Sequence, residues 1–348
     1  MILKKRYLGI ELLRIIAALM VVMLHSLGHG GLLKQLEPGT RKYCAVWLLE
    51  IISYSAVDIF VIISGFLGYS DKKKKFNYKN LFFLWLQTVY YGVSIAIVYD
   101  IVQNKSISLV SVIHYLFPIM NNTYWFFTSY AGVYFVKPIL DTGVMNLEKK
   151  TYKNILLIIF IWFSVIQTIS DPFKMNRGYS FAWFIILYCI GAGIKKLDLQ
   201  EKYSTKRYIV IIISLVLITW GWKIYGKPIS LLDMKINQNF FVSYTSPTIT
   251  TIAVCYVILF SRIRSFNDIF NKIIGFFSPG TFAVYLINDH YLTRNNFISN
   301  RFTNIAADHI VICLSKVLCF SVCFVVFSLI VDKIRQYLFS KIKQLTEG

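Results

Sequence analysis

Long apolar runs separated by short, mostly basic polar segments set the pattern of this chain. A helix that spans a bilayer needs about 20 largely apolar residues. Ten runs meet or approach that length: about 9–29, 45–69, 80–101, 124–141, 154–170, 179–195, 208–225, 239–261, 273–292 and 309–331. The stretch 107–119 is apolar but too short to span, and is expected to lie in the interface or re-enter. The pattern therefore predicts an all-α fold, a polytopic membrane protein of about ten transmembrane helices. Only short tails and loops remain between the spans, so residues 1–348 read as one transmembrane domain. The first run carries Arg14 and is followed by Gly28-His29-Gly30-Gly31 rather than a small-x-small cleavage site, so it reads as a retained span and not a signal peptide.

Composition agrees with lipid as the solvent. Hydrophobic residues make up 56% and charged residues 16%, against roughly 45–50% and 25% in soluble domains. Mean hydropathy is +0.58. The net charge of +20 comes from cations clustered between the apolar runs. That arrangement fits the positive-inside rule and gives no reason to expect a nucleic-acid partner. With the N-terminus placed inside, the inner segments hold 23 Lys and Arg and the outer ones 11. Both termini are therefore expected in the cytoplasm, in a multi-pass protein of the cell (plasma or inner) membrane. Five of the six cysteines fall within apolar runs and Cys44 at the edge of one; none has metal-ligand spacing, so no metal site is expected.

Ionisable groups inside spans cost several kcal/mol unless paired or hydrated, which makes them pointers to function. In the first run Arg14 and His25 are eleven residues apart, close to three full turns. Both side chains thus face one way, about 16 Å apart along the axis. Glu11, three residues before Arg14, shares that face and is close enough to pair. Snorkelling of Arg14 and Glu11 to the inner headgroups is the plainer reading of each residue alone, but the in-phase stripe of acid, cation and imidazole argues for a cavity. The second run carries Glu50 near its outer end and Asp58 near mid-depth. If that run is antiparallel to the first, Glu50 reaches the depth of His25 and could orient the imidazole; Asp58 could do so instead, or brace Arg14, and Glu50 could simply face outer headgroups. Lys72, Lys73, Lys74, Lys75 and Lys79 follow on the inner side. They suit a topology anchor on anionic lipid, a phosphate site, or both.

Together these residues resemble the acyltransferase-3 family of integral-membrane enzymes, which O-acylate surface and secreted glycans. The family pairs an Arg with a His after ten intervening residues, with an acid three before the Arg; here these are Glu11, Arg14 and His25. Its second span ends in a motif matched by Ala56-Val57-Asp58-Ile59-Phe60-Val61-Ile62-Ile63-Ser64-Gly65-Phe66, and a basic inner loop follows. A span opening Trp125-Phe126-Phe127 and running to Pro138 is similar to a later family segment. The late family motif is matched by Thr281-Phe282-Ala283-Val284-Tyr285-Leu286-Ile287-Asn288, with departures at Ala283 and at Asn288, where the family commonly has His. Asn288 retains the capacity to bond a hydroxyl, and His290 offers an imidazole two residues on.

The resemblance covers essentially the whole chain and implies a stand-alone transmembrane O-acyltransferase. It implies no tightly bound cofactor; an acyl-CoA, usually acetyl-CoA, would be the donor substrate from the cytoplasm. The acceptor would be a hydroxyl of a cell-surface or secreted polysaccharide, or of a lipid-linked glycan, reached from the outer side. Under this reading Glu11, Arg14 and the five lysines hold the donor. His25, assisted by Glu50 or Asp58, acts as general base or carries the acyl group itself. Trp125, Tyr285, Asn288, His290 and Arg294 fall to the acceptor, although aromatics at that depth also suit an interfacial belt. A transporter or flippase of lipid-linked glycans is the rival reading. It expects internal repeats with matching broken helices, and the C-terminal half contains no second copy of the Glu-Arg-His stripe. A structural subunit, in which the buried charges only fix helix register, is a third reading.

Overall fold

The computed structural model describes residues 7–70, 77–231 and 234–347. The helices are α1 (Leu8–Gly28), α2 (Leu32–Gln35), α3 (Arg41–Ser53), α4 (Ala56–Gly68), α5 (Lys79–Val102), α6 (Leu109–Leu116), α7 (Trp125–Asn146) and α8 (Lys149–Phe160). There follow α9 (Gln167–Ile169), α10 (Phe181–Lys196), α11 (Leu199–Lys202), α12 (Thr205–Tyr225), α13 (Pro247–Ser261), α14 (Asp268–Phe277), α15 (Thr281–Asp289), α16 (Tyr291–Thr293) and α17 (Ile310–Glu347). Local sequence explains many of the starts. Thr40, Ser108, Ser180, Ser204 and Asn267 each accept a hydrogen bond from a backbone N–H of the first turn, satisfying a donor that has no intrahelical partner.

A helix stands at each of the ten expected places. Among the described residues, seven helical stretches are long and apolar enough to cross a membrane: Leu8–Gln35, Arg41–Gly68, Lys79–Val102, Lys149–Ile169, Thr205–Tyr225, Asp268–Asp289 and Ile310–Lys341. At the other three places stand α7, α10 and α13. The last two are 16 and 15 residues long, below the length of a full crossing. The run read as 239–261 becomes helical only at Pro247, whose fixed φ and missing N–H suit a first helical position. The all-α expectation needs one correction. Between α12 and α13 the chain forms an antiparallel hairpin, β1 (Ile229–Leu231) with β2 (Met234–Ile236), in register Ile229 to Ile236.

Several spans are broken, and the breaks matter to the site. Tyr54 and Ser55 separate α3 from α4. A 3₁₀ turn at Ser278–Gly280, containing Pro279, separates α14 from α15, since proline cannot continue the hydrogen-bond ladder. A π-helical turn, Ile161–Ile166, lies between α8 and α9. Non-helical backbone at membrane depth is tolerated where it is buried in protein or lines a cavity. Ser278 and Pro279 do line one, as described below.

The first helix is the hub. It packs against α3, α4, α13, α14, α15 and α17, and buries Ile10, Leu13, Ala17 and Leu27 completely. The tightest pair is α4 with α10, which approach through glycines: a Cβ on Gly65 would stand 2.0 Å from the Tyr188 carbonyl oxygen, and one on Gly191 2.1 Å from that of Ile62. Gly191→Val must therefore force the two helices apart. We expect at least about 3 kcal/mol of destabilisation, at the upper end of overpacking costs, read as a large fall in Tm of the purified protein in lipid nanodiscs.

Near its C-terminal end α17 is tied to α5 by a buried polar knot. Asp332, 0% exposed, accepts hydrogen bonds from Tyr91 (2.8 Å), Arg335 (2.6 and 3.0 Å) and Gln336 (2.6 Å), and at 3.5 Å from Gln87.

Candidate active site

The helical succession puts the starts of α1 and α5, the ends of α4, α7, α10 and α13, and the late part of α17 at one end of the bundle. His25, the start of α7, residues 167–181 and residues 237–247 lie at the other. A cavity of about 450 Å³ runs between, and both Arg14 and His25 line it. One helix carries the two groups, and its turn-by-turn repetition keeps them on one face.

At the end near the start of α1, Arg14 Nη1 pairs with Glu11 at 3.1 Å, and the Arg14 side chain stays 30% exposed. Ser64, on α4, lines the cavity too; its hydroxyl lies 3.0 Å from the Phe60 carbonyl and 3.1 Å from the Tyr130 hydroxyl. Two further spaces adjoin this end. One, of about 200 Å³, shares Arg14, Ser64 and Tyr130 with the main cavity and adds Lys137, which pairs with Asp141 and donates to the Tyr188 hydroxyl at 2.6 Å. The other, about 550 Å³ and open, shares Leu84 and Tyr130 and adds Asn80 and Arg335. The cavity thus adjoins a cation-bearing region at this end.

At the other end His25 is partly exposed, and that exposure is to the cavity. Its Nδ1 is sealed in protein with no hydrogen-bond partner, so Nε2 is the nitrogen open to the cavity. Asn288 lies against the imidazole just outside hydrogen-bond geometry, itself 0% exposed and with neither amide atom bonded. His29, one turn on, brings its ring centroid within 5.1 Å of that of His25. Across the cavity Asp289, 4% exposed, pairs with Arg294 at 3.0 Å. The Tyr285 hydroxyl accepts from the Phe126 N–H at 3.3 Å. Trp125, Tyr179 and Tyr244 form an aromatic wall, with Trp125 and Tyr179 centroids 4.5 Å apart and Tyr179 and Tyr244 5.1 Å apart.

Of the residues singled out from sequence, Arg14, His25, Trp125, Tyr285 and Arg294 line this one cavity, with Glu11 paired to Arg14. Asn288 stands behind the imidazole, and the structure places Asp58, Glu50, His290 and Lys79 elsewhere. Asp58 is fully buried and accepts from Trp183 Nε1 at 3.3 Å, meeting neither His25 nor Arg14. Glu50 is buried near Lys223, whose ammonium sits 3.8 Å above the Trp47 ring; no hydrogen bond joins it to His25. His290 is sealed outside the cavity, stacked on Tyr115 at 4.7 Å, with Nε2 bonded to the Gly92 carbonyl and Nδ1 accepting from the Leu292 N–H. Lys79 is exposed at the start of α5; Lys72, Lys73, Lys74 and Lys75 lie outside the described residues. Sequence reasoning missed His29, Asp289, Tyr179 and Tyr244. The i, i+4 spacing of His29 from His25 is a signal for the first, and Asp289 directly follows the late motif. The two tyrosines lie on loops, where no periodicity marks them.

The fold and this cavity define a polytopic helical membrane protein with an internal, largely apolar cavity that carries a cation near one end and an imidazole near the other. Comparison with protein families is specific: a model described as an acyltransferase domain, that of the acyltransferase-3 family, matches residues 7–338, nearly the whole chain. The chain belongs to that family and is an acyltransferase. No curated protein and no solved structure gives a match.

Proposed function

We propose that this protein moves an acetyl group from cytoplasmic acetyl-CoA to a hydroxyl of a cell-surface or secreted glycan across the cell membrane, with His25 as the reacting base. The observation that carries the reading is the single cavity joining Arg14 to His25. The excess of Lys and Arg on the inner segments supports placing the Arg14 end in the cytoplasm.

About 450 Å³ suits an acylated pantetheine arm with one sugar ring but not the donor's nucleotide as well. The nucleotide phosphates would then stay at the inner end, against Arg14 and Lys137. The thioester reaches His25 along the stripe. Nε2 takes the proton of the sugar hydroxyl while its oxygen attacks the thioester carbonyl. The C–S bond then breaks, and the thiolate leaves with the proton returned by the imidazolium. The alternative order, with Nε2 attacking first to give an acyl-imidazole, is separated by trapping: an acylated protein formed without acceptor supports that order, and a ternary complex without one supports direct transfer.

Asn288 has a positioning role in this scheme. A small approach during the reaction would let its Oδ1 accept the Nδ1 proton and so select the tautomer whose Nε2 lone pair faces the cavity. Asn288→Leu removes that acceptor, so kcat is expected to fall roughly 10-fold or more with the KM for acetyl-CoA unchanged; steady-state kinetics on the folded variant check this. The function itself is tested by supplying the purified protein in lipid with labelled acetyl-CoA and candidate glycans, and following the acyl mass by mass spectrometry. Hydrolysis of the donor with no glycan acylated would overturn the assignment.

A further inference from the structure

A second, separate pocket of about 210 Å³ lies at the His25 end of the bundle. It is built from the segment after α8, the turn before α10 and the segment before α13. Its polar lining comes from Gln167, Asp171 and Arg177 in the first two and Asn239, Ser243 and Thr245 in the third, with Ile169 and Phe240 as apolar walls. Among these Gln167 stands out. It is 6% exposed, its amide nitrogen is engaged by Asp171, and its carbonyl oxygen is buried without a donor. A buried acceptor left empty is uncommon in native proteins and calls for a partner.

Backbone alternation sets the pocket and the main cavity on opposite faces of one segment. Along 243–245 the side chains of Ser243 and Thr245 enter the polar pocket, their hydroxyls 3.1 Å apart, while Tyr244 between them lines the main cavity. The neighbouring turn does likewise through its left-handed residues: Arg177 lines the pocket and Tyr179 the cavity, and the Tyr244 N–H bonds the Arg177 carbonyl at 3.2 Å. The wall between the two spaces is therefore aromatic on the side of His25 and hydroxyl, amide and guanidinium on the other. Amides, hydroxyls and a carboxylate together meet hydroxyl groups as both donors and acceptors, and an aromatic face beside them takes the apolar face of a sugar ring.

We propose that this pocket is an acceptor subsite for a second sugar unit, so that the protein acts on a glycan chain rather than on a single sugar. The unit that receives the acyl group lies in the cavity beside His25. Its neighbour lies beyond the Tyr179–Tyr244 wall, in the second pocket, where a hydroxyl supplies the donor that Gln167 lacks. This rests on the reading of the acceptor as a glycan.

The test uses the full chain in nanodiscs and size-fractionated fragments of the source cell's own surface glycan, one to four units long. Binding is measured by calorimetry on the His25→Ala protein, which separates recognition from turnover. Fragments of two or more units are expected to bind at least about tenfold tighter than one. Gln167→Leu, and independently the smaller change Ser243→Ala, should erase most of that advantage and leave single-unit affinity in place. In protein with His25 intact, the same changes should lower kcat/KM for the longer fragments by a similar factor with the KM for acetyl-CoA constant. Equal affinity for one and four units, or a length dependence that survives both substitutions, overturns the subsite while acylation of single units continues. Failure of every fragment to bind and to be acylated overturns the glycan reading along with it.

Discussion

His25→Ala is expected to reduce acyl transfer to the background of uncatalysed reaction, a loss of at least about 10²–10⁴-fold, the range general bases supply. The imidazole is the group with a nitrogen open to the cavity at the point where donor and acceptor must meet. Its neighbours cannot replace it. His290 is bonded at both nitrogens and lies outside the cavity, and Asn288 has no titratable group. His29 is the one side chain able to offer residual activity, because its ring lies 5.1 Å away. The double replacement His25→Ala with His29→Ala should therefore remove any remainder. Insertion and folding, checked by Tm in nanodiscs, should be little changed, since His25 makes no hydrogen bond whose loss strands a partner. Wild-type turnover in the folded His25→Ala protein would refute the assignment of this cavity as the reaction site.

Arg14→Ala is expected to raise the KM for acetyl-CoA by about tenfold or more while leaving the KM for acceptor nearly constant. A charge-assisted hydrogen bond to phosphate contributes about 1.5–3 kcal/mol, which corresponds to about 10–150-fold. Removing the guanidinium also leaves Glu11 without its partner at the inner end of the cavity. Glu11→Gln with Arg14→Ala separates the two effects: donor affinity should stay low in the double variant, whereas any added repulsion from the unpaired carboxylate should disappear. Direct titration of the donor onto purified protein gives the measurement. A donor affinity equal to wild type would show that Arg14 serves the fold and not the phosphates.

Much of the architecture is legible in the sequence because lipid imposes a simple rule: a long apolar run must be a helix that satisfies its own backbone. That rule locates a helix at all ten places and marks Leu109–Leu116 as too short to cross. It says nothing of breaks within a run. The turns at Tyr54-Ser55 and Ser278–Gly280 interrupt stretches whose hydropathy is continuous, and only Pro279 leaves a local signal. The hairpin at 229–236 is likewise invisible to a search for spans. For the site, helical phase was sufficient where both groups share one helix, as Arg14 and His25 do. It was insufficient where the partner comes from another helix. The pattern puts Glu50 at about the depth of His25 and Asp58 near mid-depth, yet depth does not specify rotation: Asp58 bonds Trp183, and Glu50 lies near Lys223. Asp289 and Tyr244 reach the cavity through tertiary contact alone.

The knot around Asp332 constrains how this cavity can breathe. Four neighbouring side chains hold one carboxylate, two of them on α5, so sliding α17 along α5 by even part of a turn would pull it away from Tyr91 and Gln87 inside the protein. That pair of helices behaves as a fixed post. Any widening that admits a bulky molecule must then come from the jointed segments facing it, where Pro279 and the gap after Ser53 already interrupt the ladder and a hinge breaks no helical bond.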